Sequence, residues 1–503
     1  MRKFIWALAA LFIVHSSVAE NNKVKNVILL IGDGMGAPQV GLLESYAQHA
    51  TNNIYADKPT ALQSLAAQGK TVLSLTSPHD VLVTDSACSA TQLATGISSR
   101  SEMIGLDHNG NPAETVLERA KRLGKVTGLV SDTRITHATP AAFAAHQAHR
   151  SMETEIAEDL IHNQVDLLLS GGLSFFLPKE KERLTTTQQH LIFKANLTVK
   201  SRRNDNINLL TSATEKGYQL AFSQAQLHGI KELPVLGLFS NSVMTDALTE
   251  RNDTKRTYPS LKEMTEKALA LLEQHEQGFF LMVESGQIDW TGHNNDAGGL
   301  LHEMLRMDDS LQSILTWAKD RNDTLIVVTG DHETGGFGFS YSNTPTANTP
   351  KLSGTAFKNK TFAPNYNFAP THLLDKLYAQ KKGTYSLWYE AIEKGKGGYP
   401  TVESLMNAVN DNMEFKITKE QAERILQRPA KTQDFSEFYV YQDEIPLNLL
   451  ARELAAQQNV VWATGTHTAS PVPVFVLAPQ ATLDRFSGIM THAQIGEILK
   501  TSF

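Results

Sequence analysis

Six short apolar runs punctuate the chain, at residues 27–31, 126–130, 165–169, 279–283, 325–328 and 474–477. Short, mainly apolar runs of this length predict parallel strands buried on both faces. Between residues 299 and 319 the period changes. Leu300, Met304, Met307, Leu311, Ile314, Leu315 and Ala318 recur at steps of three and four, which predicts an amphipathic helix with one apolar stripe. Strands alternating with helical patterns predict an α/β fold: a doubly wound, mostly parallel sheet with helices on both faces. Two stretches break the rhythm. Residues 173–234 are polar and irregular. Residues 341–460 begin rich in Asn, Thr, Lys, Gly and Pro and then turn helical. Both read as insertions on one domain of residues 20–503.

Carboxylates stand at the ends of the predicted strands. Asp33, Asp132, Glu284 and Asp331 follow the first, second, fourth and fifth runs. Open α/β sheets bind ligands at this carboxyl edge. Gathered carboxylates repel and lose hydration, and cations would offset both costs. Any one acid could instead cap the helix that follows it, but four together favour metal.

The local motifs carry chemistry and, taken singly, plainer readings as well. VILLIGDGMGAP at 27–38 has the glycine-rich turn of a dinucleotide site. Asp33 would there face a pyrophosphate and Pro38 removes an N–H donor, so a metal-ligating Asp33 fits better. In TDSACSATQLATG at 84–96, Ser86 opens a helix ending at Gly96, where free N–H groups and the helix dipole favour an oxyanion. Ser86 could equally be an ordinary N-cap. As a nucleophile it needs activation, and no G-x-S-x-G elbow surrounds it, which leaves a metal to supply it. VESGQIDWTGH at 283–293 puts Asp289 and His293 four apart on one helical face, suited to zinc or to a surface hydrogen bond. VVTGDHETGG at 327–336 puts Asp331 beside His332, and both reach one ion only where Gly330, Gly335 and Gly336 let the chain turn. His467 precedes the last apolar run, and alone it reads as structural. THATPAAFAAHQAHR at 136–150 offers His137, Thr139 and a helix carrying Arg150. The guanidinium fork of Arg150 can hold two phosphate oxygens or pair with Glu153 or Glu155.

Composition narrows the field. The 503 residues are 41% hydrophobic, ample for a large core, and 46 basic side chains face 53 acidic ones for a net charge of -7. That balance argues against nucleic acid as a partner. Arg2 and Lys3, an apolar stretch at 4–14 and Ser17-Val18-Ala19 read as a signal peptide of residues 1–19, and a buried N-terminal helix is the plainer alternative. No other stretch is long enough to span a bilayer, so a periplasmic or secreted chain without a membrane partner is expected. Cys88 is the single cysteine. It cannot form an internal disulfide and reads as a small buried residue.

In their order, GDGMG, TDSACSA, THATP with the later Arg150, VES with Asp289 and His293, T-x-DH and a final TH resemble the alkaline phosphatase family. The resemblance covers most of the mature chain and is weakest in the two insertions, the second of which would be crown-like. It implies metal-dependent hydrolysis of phosphate monoesters to alcohol and inorganic phosphate through a phosphoseryl intermediate on Ser86. Broad specificity and a homodimer are also implied. It implies two zinc ions and one magnesium ion. Asp289, His293 and His467 would hold one zinc, and Asp33, Asp331 and His332 the other, which also touches Ser86. Asp33, Thr139 and Glu284 would hold magnesium. Arg150 would clamp the phosphate, positioned by Asp85. His137 and Trp290, assigned to substrate binding, depart from the enteric bacterial pattern of Asp and Lys. His137 opens the third site to zinc, and Trp290 removes a positive charge near the phosphate. A phosphodiesterase or sulfatase of the same superfamily, and a non-catalytic periplasmic metal or phosphate binder, are the alternatives.

Overall fold

The computed structural model describes residues 24–346, 349–427 and 438–503. The expected signal peptide, residues 1–19, lies outside the described residues. A ten-stranded sheet organises the rest. Its strands are β1 (Asn26–Gly32), β2 (Lys70–Leu75), β3 (Val126–Arg134), β4 (Leu167–Gly171), β5 (Gln219–Ala221), β6 (Val235–Leu238), β7 (Phe279–Ser285), β8 (Thr324–Gly330), β9 (Val472–Leu477) and β10 (Ile489–Thr491). Their spatial order is β10-β2-β9-β8-β1-β7-β3-β4-β6-β5. β1 lies at the centre and pairs parallel with β7 and β8.

Side chains alternate between the two faces because the strand repeat is two residues. Ile28, Leu30, Leu281, Val283, Ile326 and Val328 join one buried cluster. Val27, Leu29, Ile31, Phe280, Met282, Leu325 and Val327 join the other. Each fully buried aliphatic side chain contributes about 1.5–3 kcal/mol, which explains why these runs carry no polar position to mark a solvent face. Helices α1 (Ser86–Thr95) and α4 (His492–Lys500) lie on the second face. On the first lies α3 (Ala297–Ala318), preceded by the short α2 (Gln287–His293). Asp296 caps α3 by accepting from Gly299 N at 2.9 Å.

Two expectations need correction, and β2 has no counterpart among the six runs. The run at 474–477 forms β9, which is antiparallel to both β8 and β2, because the chain enters it from the carboxyl edge of the sheet. The run at 165–169 forms a strand two residues later. β2 departs from the expected pattern: its side chains alternate between buried and exposed, leaving Leu73 and Leu75 partly in solvent. Residues 173–234 contribute edge strand β5, and the described residues of 341–460 include five helices, from His372–Tyr378 to Ile445–Gln458.

α1 and α4 touch through two glycines. Gly96 ends α1 in the left-handed region at φ +73°, and a Cβ there would sit 2.7 Å from Glu497 N. At Gly496 a Cβ would lie 2.3 Å from Gln92 O. A Gly496→Ala substitution must therefore push the two helices apart. We expect it to lower stability by about 1–3 kcal/mol, read as a lower urea midpoint at unchanged m-value. An unchanged midpoint would show that the interface is slack.

Candidate active site

The carboxyl ends of β1, β7 and β8 meet the first turn of α1. Asp33 leaves β1 through a turn made possible by Gly34, whose φ is +80° and whose absent Cβ would lie 2.7 Å from Asp289 Cα. That turn brings Asp33 against the neighbouring elements, and its side chain is fully buried.

Asp85, not Ser86, caps α1. Its carboxylate accepts from Ala87 N and Cys88 N at 3.2 and 3.3 Å. Ser86 is therefore free of capping duty and faces inward. Its Oγ lies 3.2 Å from His332 Nε2 and 3.5 Å from Asp33 Oδ1. Arg150 forms neither of the ion pairs expected for it, since Glu153 bonds Arg134 instead. Arg150 Nη1 donates to Asp85 Oδ2 at 3.0 Å and Nη2 contacts His137 Nε2 at 3.2 Å. Nor does a helix carry Arg150. The helix at Ala138–Ala141 is a single turn, and a bridge between Ile104 and Gln147 folds the chain back.

Three groups of side chains converge. Asp289, His293 and His467 form the first, Asp33, Asp289 and His332 the second, and Asp33, His137 and Glu284 the third. In the first, His293 Nε2 and His467 Nε2 are 3.2 Å apart, and lie 3.2 and 3.5 Å from the Asp289 oxygens. Each ring turns its other nitrogen to a backbone carbonyl, Gly465 O for His293 and Thr84 O for His467, at 2.7 and 2.8 Å. A carbonyl only accepts, so both Nδ1 atoms carry the proton and both Nε2 lone pairs face the same point. His467 reaches this position because Glu333–Thr334 and His467–Thr468 pair as two-residue antiparallel strands.

The second group gathers around His332. Its Nε2 is 3.3 Å from Asp331 Oδ2 and 3.5 Å from Asp33 Oδ1. In the third, His137 Nδ1 lies 3.8 Å from Glu284 Oε1, and Thr139 Oγ1 lies 3.5 Å from Asp33 Oδ2. His137 Nδ1, Glu284 Oε1 and Asp331 Oδ2 are buried without hydrogen-bond partners. Orphaned buried atoms of this kind need an explanation, and divalent cations among these oxygen and nitrogen donors supply one.

The electrostatics agree. Burial, reinforced by Asp331, Asp289 and Glu284, pushes the Asp33 carboxyl well above its ordinary range. Burial also pushes Asp331 up to about 7. Burial disfavours a charged His293, but Asp289 outweighs it and lifts the imidazole to about 9. Without cations the cluster holds protons instead, and metal binding would release them.

The fourth carboxylate of the expected set stays apart. Asp132 Oδ2 pairs with Arg306 Nη2 at 2.8 Å and its Oδ1 accepts from Gly286 N at 2.6 Å. Trp290 stands beside the site, edge-on to His137 with ring centroids 6.1 Å apart.

Several supporting residues escaped the motifs. Thr334 Oγ1 donates to Asp289 Oδ1 at 2.5 Å and contacts His332 Nδ1 at 3.2 Å, so one hydroxyl ties the first group to the second. Ser131 and Thr133 both donate to Glu284 Oε2. His492, at the start of α4, donates Nε2–H to Asp331 O at 2.9 Å while Nδ1 meets Ser74 Oγ at 2.7 Å. Thr334 lies inside the DHETGG motif, two residues after His332. Nothing in the sequence ties His492 to Asp331.

Known proteins share this architecture. A family model described as "Alkaline phosphatase" matches residues 24–502. "Alkaline phosphatase 4" of Bacillus subtilis is 30% identical over 491 residues, spanning 95% of this chain and 89% of its own. The structure of a cold-active alkaline phosphatase from the psychrophile Shewanella sp. superposes with a TM-score of 0.70 at 25% identity, covering 95% of this chain and 99% of its own. A histidine-to-aspartate mutant of the TAB5 alkaline phosphatase, with Mg bound in its M3 site, superposes with a TM-score of 0.60 at 22% identity, covering 96% and 98%. The chain belongs to the alkaline phosphatase family.

Proposed function

We propose that this chain hydrolyses phosphate monoesters of varied alcohols, with Ser86 as the nucleophile. The observation that carries the reading is the freedom of Ser86. Asp85 caps the helix in its place, and the hydroxyl lies between His332 and Asp33. Two zinc ions, one held by Asp289, His293 and His467 and one by Asp33, Asp331 and His332, with magnesium at Asp33, Thr139 and Glu284, would lower the hydroxyl pKa and neutralise the leaving oxygen. His137 beside Glu284 suits zinc in that third position as well.

The protein's own groups account for the rest. Ser86 Oγ loses its proton and bonds to phosphorus as the ester oxygen departs with its alcohol. The guanidinium of Arg150 and the positive end of the α1 dipole hold the equatorial oxygens, where charge concentrates. Asp85 orients that guanidinium through its 3.0 Å ion pair. Water then attacks the phosphoserine, the Ser86 oxygen leaves and regains a proton, and inorganic phosphate is released. Thr139, Glu284 and Arg150 together favour a monoesterase over a sulfatase or diesterase. The enzyme would be exported to the periplasm or beyond through residues 1–19 and would work as a homodimer. Among the described residues, no helix is long and apolar enough to cross a membrane. Residues 173–234 and 341–460 serve as insertions on the catalytic sheet.

Three outcomes test this. Release of p-nitrophenol from its phosphate should fall more than about a thousandfold in Ser86→Ala and disappear after EDTA treatment. Full activity in either case would refute the assignment. Thr334→Val, which removes the hydroxyl shared by Asp289 and His332, should weaken metal retention about 10–100-fold, measured by competition with a fluorescent chelator. Unchanged retention would leave Thr334 a packing residue only. Trp290→Lys places a positive charge near the phosphate and should lower the inhibition constant of inorganic phosphate several-fold. An unchanged constant would separate Trp290 from the phosphate site.

A further inference from the structure

A cavity of about 540 Å³ lies against the metal groups, within the size range of small-molecule sites. The two spaces share α2 as a wall. Asp289 and His293 are four apart on that helix and face the metal groups. Trp290 and Asn294, each one residue further on and therefore rotated by about 100°, line the cavity.

The lining has one sign of charge. It includes four carboxylates, Asp246, Asp296, Glu303 and Glu444, and no Lys, Arg or His. Three of the four already accept hydrogen bonds. Asp296 accepts from Gly299 N, Gln380 Nε2 and Thr384 N. Glu303 pairs with Arg306 and accepts from Ala247 N. Asp246 accepts from Thr249 N at 2.9 Å, neither it nor Glu444 has an ion-pair partner among the described residues, and Glu444 Oε2 has no hydrogen-bond partner. Two further polar side chains are more than nine-tenths buried in the lining and unpartnered: Asn294 through Oδ1 and Thr384 through Oγ1. Tyr385 and the indole of Trp290 add aromatic surface. Carboxylates, free acceptors and an indole without a competing base form a receptor for an organic cation.

We infer that this cavity receives the alcohol portion of the substrate and favours phosphate monoesters whose alcohol carries an ammonium group. The inference rests on the phosphatase reading and adds a preference to its broad specificity. Trp290 lines the cavity and also packs edge-on against His137 of the third group, with ring centroids 6.1 Å apart, so the cavity borders the space where the phosphate would sit. Tyr441, three residues before Glu444, packs edge-on against His293 with ring centroids 4.8 Å apart, which holds this segment beside the first metal group.

Phosphocholine and 3,3-dimethylbutyl phosphate test this, since they share a shape and differ in the charge of one atom. The metal-loaded full-length enzyme should show about tenfold higher kcat/KM for phosphocholine. In the Asp246→Asn/Glu444→Gln double variant the ratio should fall toward one. Both esters are assayed on one preparation, so a partly misfolded variant cannot mimic the result. A ratio near one in the unmodified enzyme, or an unchanged ratio in the double variant, overturns the cavity assignment while p-nitrophenyl phosphate hydrolysis keeps the phosphatase reading intact. Failure to hydrolyse any of the three esters overturns the phosphatase reading itself.

Discussion

Mutual repulsion among desolvated donors at the carboxyl edge of one sheet is the constraint on which the site depends. Asp33, Glu284, Asp289 and Asp331 lie within a few residues of the ends of adjacent strands, with His293, His332 and His467 among them. Water does not reach most of these atoms, so their charge must be met by protons or by cations. Burial holds protons on Asp33 and Asp331 at the cost of their ligand character. Cations meet the same requirement and leave the donors intact. The positions of Ser86 and Arg150 follow from this centre, because each reaches it through partners that it already orients.

Orientation is achieved largely by groups that take no part in the chemistry. Carbonyls of Gly465 and Thr84 fix the tautomers of His293 and His467. Thr334 ties Asp289 to His332, and His492 holds the Asp331 backbone from the last helix of the chain. Outer contacts of this kind set ligand direction and basicity. They also connect the metal groups to packing far away. The α1–α4 interface that excludes a Cβ at Gly496 is the same one that carries Ser86 on one side and His492 on the other.

Much of this was legible in the sequence. β1, β7 and β8 are buried on both faces, so their apolar runs were unbroken and easily read. The carboxylates at their ends followed, because strand ends are fixed once the strands are. Other features were illegible for physical reasons. Burial pattern carries no direction, so the antiparallel course of β9 was hidden. β2 alternates and exposes Leu73 and Leu75, so it lacked the signature of a central strand. Asp132 has the same local setting as Asp33 and Asp331, and only its pairing with Arg306, 174 positions later, removes it from the cluster. Capping preference alone could not separate Asp85 from Ser86, since both residue types favour the N-cap.

The division of labour at α1 follows from that last ambiguity. A helix start needs one side chain to meet its free N–H groups, and a nucleophile there would spend its hydroxyl on that task. Asp85 meets two of them and in the same act turns a carboxylate oxygen toward Arg150. One side chain thereby releases Ser86, fixes the guanidinium and leaves the positive end of the helix dipole facing the site. Replacing Asp85 by a neutral cap would keep the helix and lose the alignment of Arg150. Capping alone does not account for an acid at this position, because the same carboxylate also orients Arg150.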